Sequence, residues 1–414
     1  MRFAPNIQKH PFAFYVGLFF LLIFSYTLFA VISSFLPDRM VKHRVKMASN
    51  SLAAYGNYPR SVFDLETCQQ DYFTESLILN QVYCIDRTKP LESAMKVRWK
   101  LVTKNLTGDL WQMTHEEVDF KDCSYPRYWH GTTFLTRFLL LFFSYAQIQW
   151  LFFAVSLLLM LAFGRVYLPR AGVMKTVAFL MSWALVYGFM WMFSLQFTPV
   201  FIITLVSSIL VVRYHRDVRR LGILFFVTGS LTCYFDLLTV PMLSLGWPLL
   251  VWLSLCEDKG PDIRSFWTVV KLALLWVAGF AFTWVMKWAL ASAVLGYNVF
   301  ADAGKAMDKR TGVSEDFGRW DAIVKNAGML PWLMILLTVL GFVACVFRRF
   351  RLPDWKQAGL YLIVAFAPYI WYLVLSNHSY LHFWFTYRLQ AVSITAILLL
   401  VCSFRKRKHQ ISGR

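Results

Sequence analysis

Long apolar runs, separated by shorter polar segments, recur from one end of the chain to the other. A helix needs about 20 mostly apolar residues to cross a bilayer, and in lipid its backbone polar groups have to bond within the segment. The first run, PFAFYVGLFFLLIFSYTLFAVISSFL, is longer than a signal-peptide core and has no small-x-small cleavage site behind it, so we expect a retained helix. The pattern predicts ten membrane-spanning helices, at 11–36, 146–164, 174–196, 197–212, 221–238, 240–256, 266–290, 328–347, 358–376 and 388–404.

The predicted fold class is an all-α polytopic membrane protein, with residues 1–414 forming a single integral membrane domain. Composition agrees, because 58% of the residues are hydrophobic and the mean hydropathy is +0.51. These values exclude a disordered chain and a soluble nucleic-acid-binding protein, although the sequence pI is about 9.7. We therefore expect the membrane, and no nucleic acid, as a partner.

The net charge of +19 predicts an orientation. If the N-terminus is cytoplasmic, the segments on that side hold 20 Lys and Arg against five acidic residues. These segments are 1–10, 165–175, 213–220, 257–265, 348–357 and the basic end of the chain, RKRKHQISGR. Positively charged loops stay in the cytoplasm, so we expect both termini inside and the functional face outside the cell membrane. The basic end then orients the last helix and touches anionic lipid.

Two longer polar segments fall on the opposite side, a first extracytoplasmic loop at 37–133 and a second at 296–327. The first contains 12 of the 23 acidic residues together with 13 Lys and Arg, and the second contains five residues of each sign. Mixed charge suits a structured polar surface, and loops of this length usually carry function. Cys68, Cys84 and Cys123 in the first loop would allow one disulfide and one free thiol.

Asp71 and Glu75 stand four residues apart at the start of a helical pattern, DYFTESLILN, so both carboxylates project from one face of a helix. Such a pair can act as a general base or bind a divalent cation. In the alternative interpretation Asp71 caps the helix, and Glu75 is favoured near the positive end of the helix dipole. The spacing of the pair alone favours the capping interpretation. The polar residues elsewhere on the same side of the membrane favour a catalytic or cation-binding site.

Two further groups of polar residues border predicted spans. The segment CSYPRYWHGTTFLTRFLL places Arg127, His130 and Arg137 just ahead of the second span. Aromatic belts are common at that depth, but an arginine there can also bind a lipid phosphate through its planar guanidinium. Asp236 lies at the outer end of the fifth span, where it either caps the next helix or serves a function.

The segment SNHSYLHFWFTYRLQ, at 376–390, emerges on the outer side between the last two predicted spans. His378 and His382 have the i, i+4 spacing of a metal-binding pair, but no acidic residue is near them in the sequence, so metal is the less favoured interpretation. We expect Arg388, helped by His378 or His382, to hold an anionic lipid head group. The alternative is that Arg388 anchors the helix by snorkelling to the membrane surface.

Taken together, a cytoplasmic N-terminus, a large acidic first outer loop and a late loop with Arg388 and two histidines resemble the GT-C superfamily of glycosyltransferases. The resemblance implies transfer of a sugar from a polyprenyl-phosphate donor to an envelope glycan or lipid acceptor at the outer face. It also implies a carboxylate that deprotonates the acceptor, and arginine, histidine or a bound divalent cation that stabilises the departing phosphate. In that family the catalytic acid lies close behind the first span, where this chain has Asp38, whereas Asp71 and Glu75 lie deeper in the loop.

Two other classes stay open on the sequence. A transporter or flippase for a lipid-linked solute would carry paired charges deep in its spans and helices broken by Gly or Pro, whereas here the polar residues gather outside the spans. A non-catalytic protein of envelope assembly would keep the same architecture as an enzyme. We rank the enzyme first, the assembly protein second and the transporter third.

Overall fold

The computed structural model describes residues 11–60, 64–256, 263–315, 317–347 and 355–404. The predicted cytoplasmic segments 1–10 and 405–414, and most of 257–265 and 348–357, lie outside the described residues. The described helices are α1 (Pro11–Ser34), α2 (Asp38–Tyr55), α3 (Tyr72–Tyr83), α4 (Pro90–Lys96), α5 (Leu106–His115), α6 (Gly131–Leu139), α7 (Tyr145–Ala171), α8 (Val173–Leu185), α9 (Thr198–Tyr214), α10 (Val218–Phe235), α11 (Pro241–Cys256), α12 (Ile263–Leu295), α13 (Val299–Thr311), α14 (Arg319–Gly328), α15 (Trp332–Phe347), α16 (Trp355–Val374), α17 (Ser376–Leu381), α18 (Phe383–Thr386) and α19 (Ala391–Ser403). Strands β1 (Arg98–Leu101) and β2 (Lys121–Ser124) pair antiparallel, and Glu66–Cys68, Gly188–Phe193 and Tyr387–Gln390 are 3₁₀ segments.

The helices have the length and composition of a multi-pass membrane protein, as the sequence predicts. Within the described residues six helical stretches are long and apolar enough to cross a membrane, or seven if α14 and α15 count as one span despite a 73° bend. The prediction of ten spans is therefore wrong in number. The shorter apolar helices α8, α9 and α11 have 13, 17 and 16 residues. At 1.5 Å per residue they reach only about 20–26 Å, less than the roughly 30 Å of hydrocarbon.

The predicted span at 174–196 is interrupted by a backbone turn. Tyr187 has a φ of 51°, in the left-handed region, and the following Gly188 packs so closely on Trp183 that a Cβ would lie 2.2 Å from the indole ring. The helix therefore stops at Leu185, and the chain continues as the 3₁₀ segment Gly188–Phe193. As a result the short stretch 194–196 lies outside regular helix and can bond to other parts of the chain.

The first loop forms its own small subdomain, here called the first-loop subdomain, from α2 to β2. Its α2 buries Val41 and Val45 against α5 and α3. The same hydrophobic cluster includes Ile148 of α7 and Leu195, which come from outside the loop. The subdomain is therefore packed directly on the helical bundle.

Helices α10 and α12 make a very close contact through paired glycines. A Cβ on Gly229 would lie 2.0 Å from the carbonyl oxygen of Trp276, and a Cβ on Gly279 would lie 2.1 Å from that of Phe226. Small residues permit such close approach of helix backbones in membranes, where helix association depends on van der Waals packing. Any side chain at either glycine has to push the two helices apart.

We expect Gly229→Ala and Gly279→Ala to lower the melting temperature of the detergent-solubilised protein by several degrees. The matched control is Gly164→Ala in α7, where an added Cβ meets no atom within 4 Å. Because alanine favours helix over glycine by about 0.5–1 kcal/mol, the control should melt at the wild-type temperature or slightly above. Equal effects at all three positions would contradict the close α10–α12 contact.

Candidate functional site

A cavity of about 220 Å³ lies where the first-loop subdomain meets the bundle. Its walls come from the start of α3, the stretch that runs from Gly188–Phe193 to Phe197, one residue of α7 and the segment before α19. The lining residues are Gln69, Gln70, Asp71, Tyr72, Glu75, Gln149, Phe189, Met190, Phe193, Ser194, Phe197 and Arg388. Three residues singled out from the sequence, Asp71, Glu75 and Arg388, thus share one cavity although they come from distant parts of the chain.

Asp71 both caps α3 and lines this cavity. Its Oδ1 accepts a hydrogen bond from the backbone N–H of Thr74 at 2.9 Å, which confirms the capping interpretation. Its Oδ2 accepts a bond from Nε2 of Gln196 at 3.0 Å. The residue is only 7% exposed. Both oxygens are therefore held in place by donors from two different segments.

Glu75 lies one helical turn further along the same face. Its Oε1 accepts bonds from Oγ of Ser194 and from the backbone N–H of Leu195, both at 2.8 Å. Its Oε2 accepts a bond from the Tyr145 hydroxyl at 3.1 Å, and that hydroxyl in turn accepts a bond from Nε2 of Gln149 at 2.9 Å. A buried carboxylate needs such donors because water cannot reach it.

The two carboxyl groups differ in acidity. Burial raises the pKa of Glu75 to about 8, against the lowering effect of its Ser194 and Leu195 bonds, and the nearby charge of Asp71 raises it further. Burial also raises the pKa of Asp71, to about 6, against the lowering effects of Thr74, Gln196 and the Arg388 charge. Near neutral pH the pair therefore keeps one proton on Glu75, and Asp71 is ionised.

Arg388 is the cation of the cavity. It lies in the 3₁₀ segment Tyr387–Gln390 and is 1% exposed. Its Nη2 donates to the carbonyl oxygen of Thr67 at 2.8 Å, but its buried Nε has no hydrogen-bond partner. A snorkelling arginine keeps its guanidinium in water, whereas this one is enclosed by protein. A buried cation with an unpartnered nitrogen at a cavity is a ready site for an anion.

The remainder of the lining is largely apolar. Phe189, Met190, Phe193 and Phe197 all come from the stretch between α8 and α9. The guanidinium carbon of Arg388 lies 6.0 Å from the centre of the Phe197 ring, within reach of a cation–π interaction. The cavity thus joins charged groups to an apolar wall, which suits a ligand with an anionic head and a hydrocarbon part.

Arg137 and Asp38 lie together, and neither lines this cavity. Arg137 is fully buried and donates to Asp38 Oδ1 at 2.5 Å and to the carbonyl oxygens of Ser33, Leu36 and Val82 at 2.9, 3.0 and 3.1 Å. Partial burial acts in the opposite direction, but the bond to Arg137 and its charge lower the pKa of Asp38 below its ordinary value. This geometry clamps the end of α1 to α3 and α6.

Arg127 and His130 join the first loop to the second. Arg127 forms an ion pair with Asp302 of α13 at 2.7 Å, and Arg310 of the same helix donates to the Tyr125 hydroxyl at 3.2 Å. His130 is buried at the start of α6, where its Nε2–H donates to the carbonyl oxygen of Tyr125 at 3.1 Å. Burial lowers the pKa of His130 to about 3, so the ring is neutral at physiological pH.

Asp236, His378 and His382 lie in another part of the interior. Asp236 accepts bonds from the backbone N–H of Thr239 at 3.0 Å and from its hydroxyl, and burial raises its pKa to about 6. His378 donates its Nε2–H to the carbonyl oxygen of Leu238 at 2.9 Å, and its ring centre is 4.8 Å from that of His382. Burial lowers the pKa of both histidines. Neither histidine lines the cavity, so the geometry does not bring them to Arg388.

Sequence reasoning missed the residues that hold the two carboxylates. Ser194 and Gln196 fall at the boundary of two predicted spans, and Tyr145 and Gln149 fall at the start of another. The one available signal was polar side chains at these span ends, which are costly in lipid unless they face protein. Among the described residues no group of three or more His, Cys, Asp or Glu is arranged to hold a metal ion. The three cysteines of the first loop are free thiols.

Glu75→Gln should change how stability depends on pH. In the unfolded chain Glu75 loses its proton near its ordinary pKa of 4.5, whereas in the folded protein it keeps the proton up to about 8. The wild-type protein should therefore lose stability as the pH rises through this range, by on the order of a few kcal/mol. Glutamine can accept from Ser194 and Leu195 and donate to Tyr145 without titrating.

The measurement is the melting temperature of the purified protein from pH 5 to pH 9. The melting temperature of Glu75→Gln should rise relative to that of the wild type as the pH increases. The melting temperature of the exposed control Glu117→Gln should stay equal to that of the wild type at every pH. A constant difference between Glu75→Gln and the wild type would contradict a buried carboxyl group with a raised pKa.

Comparisons with known proteins were made for the whole chain. No protein-family model matches it, and searches of curated proteins and of solved structures find no significant similarity.

Proposed function

We propose that this protein is a membrane glycosyltransferase of GT-C type, which transfers a sugar from a polyprenyl-phosphate donor to an envelope glycan or lipid acceptor. The observation that carries the proposal is the meeting of a buried carboxyl pair and an unpaired arginine in one partly apolar cavity. A transferase with such a donor needs a base for the acceptor hydroxyl and a cation for the departing phosphate. Asp71 and Arg388 have the chemistry for these two roles.

The reaction balances with these groups. An acceptor hydroxyl oxygen forms a bond to the anomeric carbon, while the bond from that carbon to the phosphate oxygen breaks and its electron pair leaves with the lipid phosphate. The acceptor proton passes to Asp71, whose pKa of about 6 lies close to the operating pH, as an efficient general base requires. The negative charge on the leaving phosphate is stabilised by the Arg388 guanidinium.

The apolar side of the cavity supports a lipid-linked donor. Phe189, Phe193 and Phe197 offer a surface for the first isoprene units next to the phosphate. Gln149 belongs to α7, one of the candidate membrane spans, so the cavity adjoins helices that would contact lipid. A donor that stays in the bilayer could thus present its phosphate to Arg388.

The orientation remains part of the proposal. Segments 1–10, 165–175 and 213–220 hold nine Lys and Arg against one acidic residue, so the positive-inside rule puts the N-terminus in the cytoplasm. The first-loop subdomain, and with it Asp71 and Glu75, would then lie on the outer face of the cell membrane. A lipid-phosphate donor is consistent with a reaction on that face, since it reaches the site through the bilayer.

Arg388→Lys is expected to weaken donor binding although it keeps the positive charge, and Arg388→Ala is expected to weaken it more. Arginine can make two parallel charge-assisted bonds to a phosphate, a geometry that lysine does not reproduce. Loss of one such bond, at about 1.5–3 kcal/mol, corresponds to roughly tenfold or more in Kd. Binding of a short-chain polyprenyl phosphate should be measured in nanodiscs by titration.

The control for this prediction is Arg127→Lys, which changes an arginine outside the cavity and should bind like the wild type. If Arg388→Lys also binds like the wild type, the phosphate site is not at Arg388. Failure of the wild type to bind any polyprenyl phosphate would favour the non-catalytic assembly protein.

Asp71→Asn should abolish sugar transfer and leave donor binding almost unchanged. Asparagine caps a helix about as well as aspartate, and its amide can still bond to Gln196, so the fold should be kept. Transfer should be followed with a radiolabelled polyprenyl-phosphate sugar and membranes that contain the acceptor. Full activity of Asp71→Asn would exclude this residue as the base, and Asp38→Asn serves as the comparison outside the cavity.

A further inference from the structure

A second cavity lies on the first-loop subdomain, at the other end of α3 from the carboxyl pair. Its volume is about 600 Å³, and we call it the polar groove. Its walls come from the start of α2, the end of α3 with the following turn, and the paired strands β1 and β2. The lining residues are Asp38, Lys42, Tyr83, Cys84, Ile85, Asp86, Arg87, Thr88, Arg98, Lys100 and Asp122.

The strand register brings charges to one face of the sheet. Lys100 pairs with Asp122 and Arg98 pairs with Ser124, and residues opposite each other in an antiparallel pair project to the same side. Burial raises the pKa of the Cys84 thiol to about 12, and the charges of Lys100, Asp122 and Arg98 all act on this thiol. Arg98, Lys100 and Asp122 all line the groove together with Cys84.

Cations exceed accessible anions in the groove. Of its three carboxylates, Asp38 is already paired with the buried Arg137 and with Lys42, at 2.5 and 3.3 Å. Asp86 accepts bonds from the backbone and the hydroxyl of Thr88 at 2.8 and 2.6 Å. Asp122 and Asp86 thus remain to balance the four lining cations Lys42, Arg87, Arg98 and Lys100.

The two cations on β1 take no part in the ion pairs that stabilise the described part of the fold. Among the described residues neither Arg98 nor Lys100 forms an ion pair within 4.0 Å. The Lys100 ammonium instead lies 5.2 Å from the centre of the Phe120 ring, while its backbone N–H donates to Asn80. Two neighbouring positive side chains thus stay available at an open polar surface.

The composition of the walls limits the ligand. Ile85 is the one aliphatic side chain of the lining, in contrast to the aromatic wall of the Arg388 cavity. The groove also adjoins the end of α1, because Arg87 donates to the carbonyl oxygen of Phe35 at 3.1 Å. We therefore expect a polar, anionic ligand here, bound beside the end of a candidate membrane span.

We propose that the polar groove binds a phosphorylated polyol, with Arg98 and Lys100 on the phosphate and the carboxylates and Thr88 on the hydroxyl groups. Arginine and lysine form charge-assisted bonds to phosphate, and carboxylates accept bonds from hydroxyls. The phosphorylated polyol is either a soluble glycan phosphate or the head group of an anionic phospholipid at the membrane surface. The proposal does not depend on the transferase activity or on Arg388.

The test compares two double variants with the same loss of charge. Arg98→Gln with Lys100→Gln removes the two cations that β1 contributes to the groove. Lys104→Gln with Lys121→Gln removes two cations from exposed positions of the same subdomain that do not line the groove. All four side chains are at least partly exposed, so both proteins should fold, which their melting temperatures will verify.

The experiment has two arms, which distinguish a soluble glycan phosphate from a lipid head group. The first titrates sn-glycerol 1-phosphate, with glycerol as the uncharged comparison, into protein in phosphatidylcholine nanodiscs. The second measures by native mass spectrometry how much phosphatidylglycerol is retained from mixed nanodiscs. Arg127→Lys, at an arginine that lines neither cavity, is included in both arms and should behave like the wild type. Phosphatidylglycerol that is lost in Arg388→Ala but kept in the groove variant would be bound at the donor cavity and would count against the groove.

A loss of at least tenfold in affinity for glycerol phosphate in the groove variant alone supports the proposal with a soluble ligand. A selective loss of retained phosphatidylglycerol in that variant supports it with a lipid head group. The proposal is overturned if the wild type binds neither probe, or if both double variants bind as the wild type does or weaken equally.

Discussion

Two carboxyl groups can remain inside this protein only because the short stretch 194–196 supplies hydrogen bonds to both. Ser194 and Leu195 donate to Glu75, and Gln196 donates to Asp71. Burial of an unpartnered carboxylate would cost several kcal/mol, so these bonds tie the first-loop subdomain to the bundle. The turn at Tyr187 makes them available, because it ends α8 and leaves 194–196 outside regular helix. The cavity exists at the junction that these bonds maintain.

Helix α3 connects the two cavities of the protein. Its first turn carries the carboxyl pair, and its last turn carries part of the wall of the polar groove. Twelve residues at 1.5 Å each give the helix a length of about 18 Å. The cavities also differ in chemistry, since one combines an arginine with aromatic side chains and the other is lined mainly by charges. If both proposals hold, an anionic lipid donor and a hydrophilic anion would bind at opposite ends of one rigid element.

Several charged residues that resemble site residues in the sequence serve the fold in the structure. Arg137 uses Asp38 and three carbonyl oxygens to hold the end of α1 against α3 and α6. Arg127 uses Asp302 to join the two polar loops. Charged side chains in such interiors are stable only with partners, and these two arginines already have theirs. Arg388 differs because it lines a cavity and takes part in none of the ion pairs among the described residues.

Hydrophobic patterning by itself determined the all-α membrane architecture, because any apolar run of sufficient length has to satisfy its backbone as a helix in lipid. The sequence also offered Asp71 as a helix cap beside a role in a catalytic pair, and the structure shows the cap, which is a local interaction between near neighbours. It overestimated the number of spans, because a run of apolar residues does not reveal a backbone turn such as the one at Tyr187. Only the tertiary structure decided that Asp71, Glu75 and Arg388 share a cavity, that Gln196 supports it, and that His378 and Asp38 lie elsewhere. Those relations depend on contacts between residues far apart in the chain, for which local periodicity carries no signal.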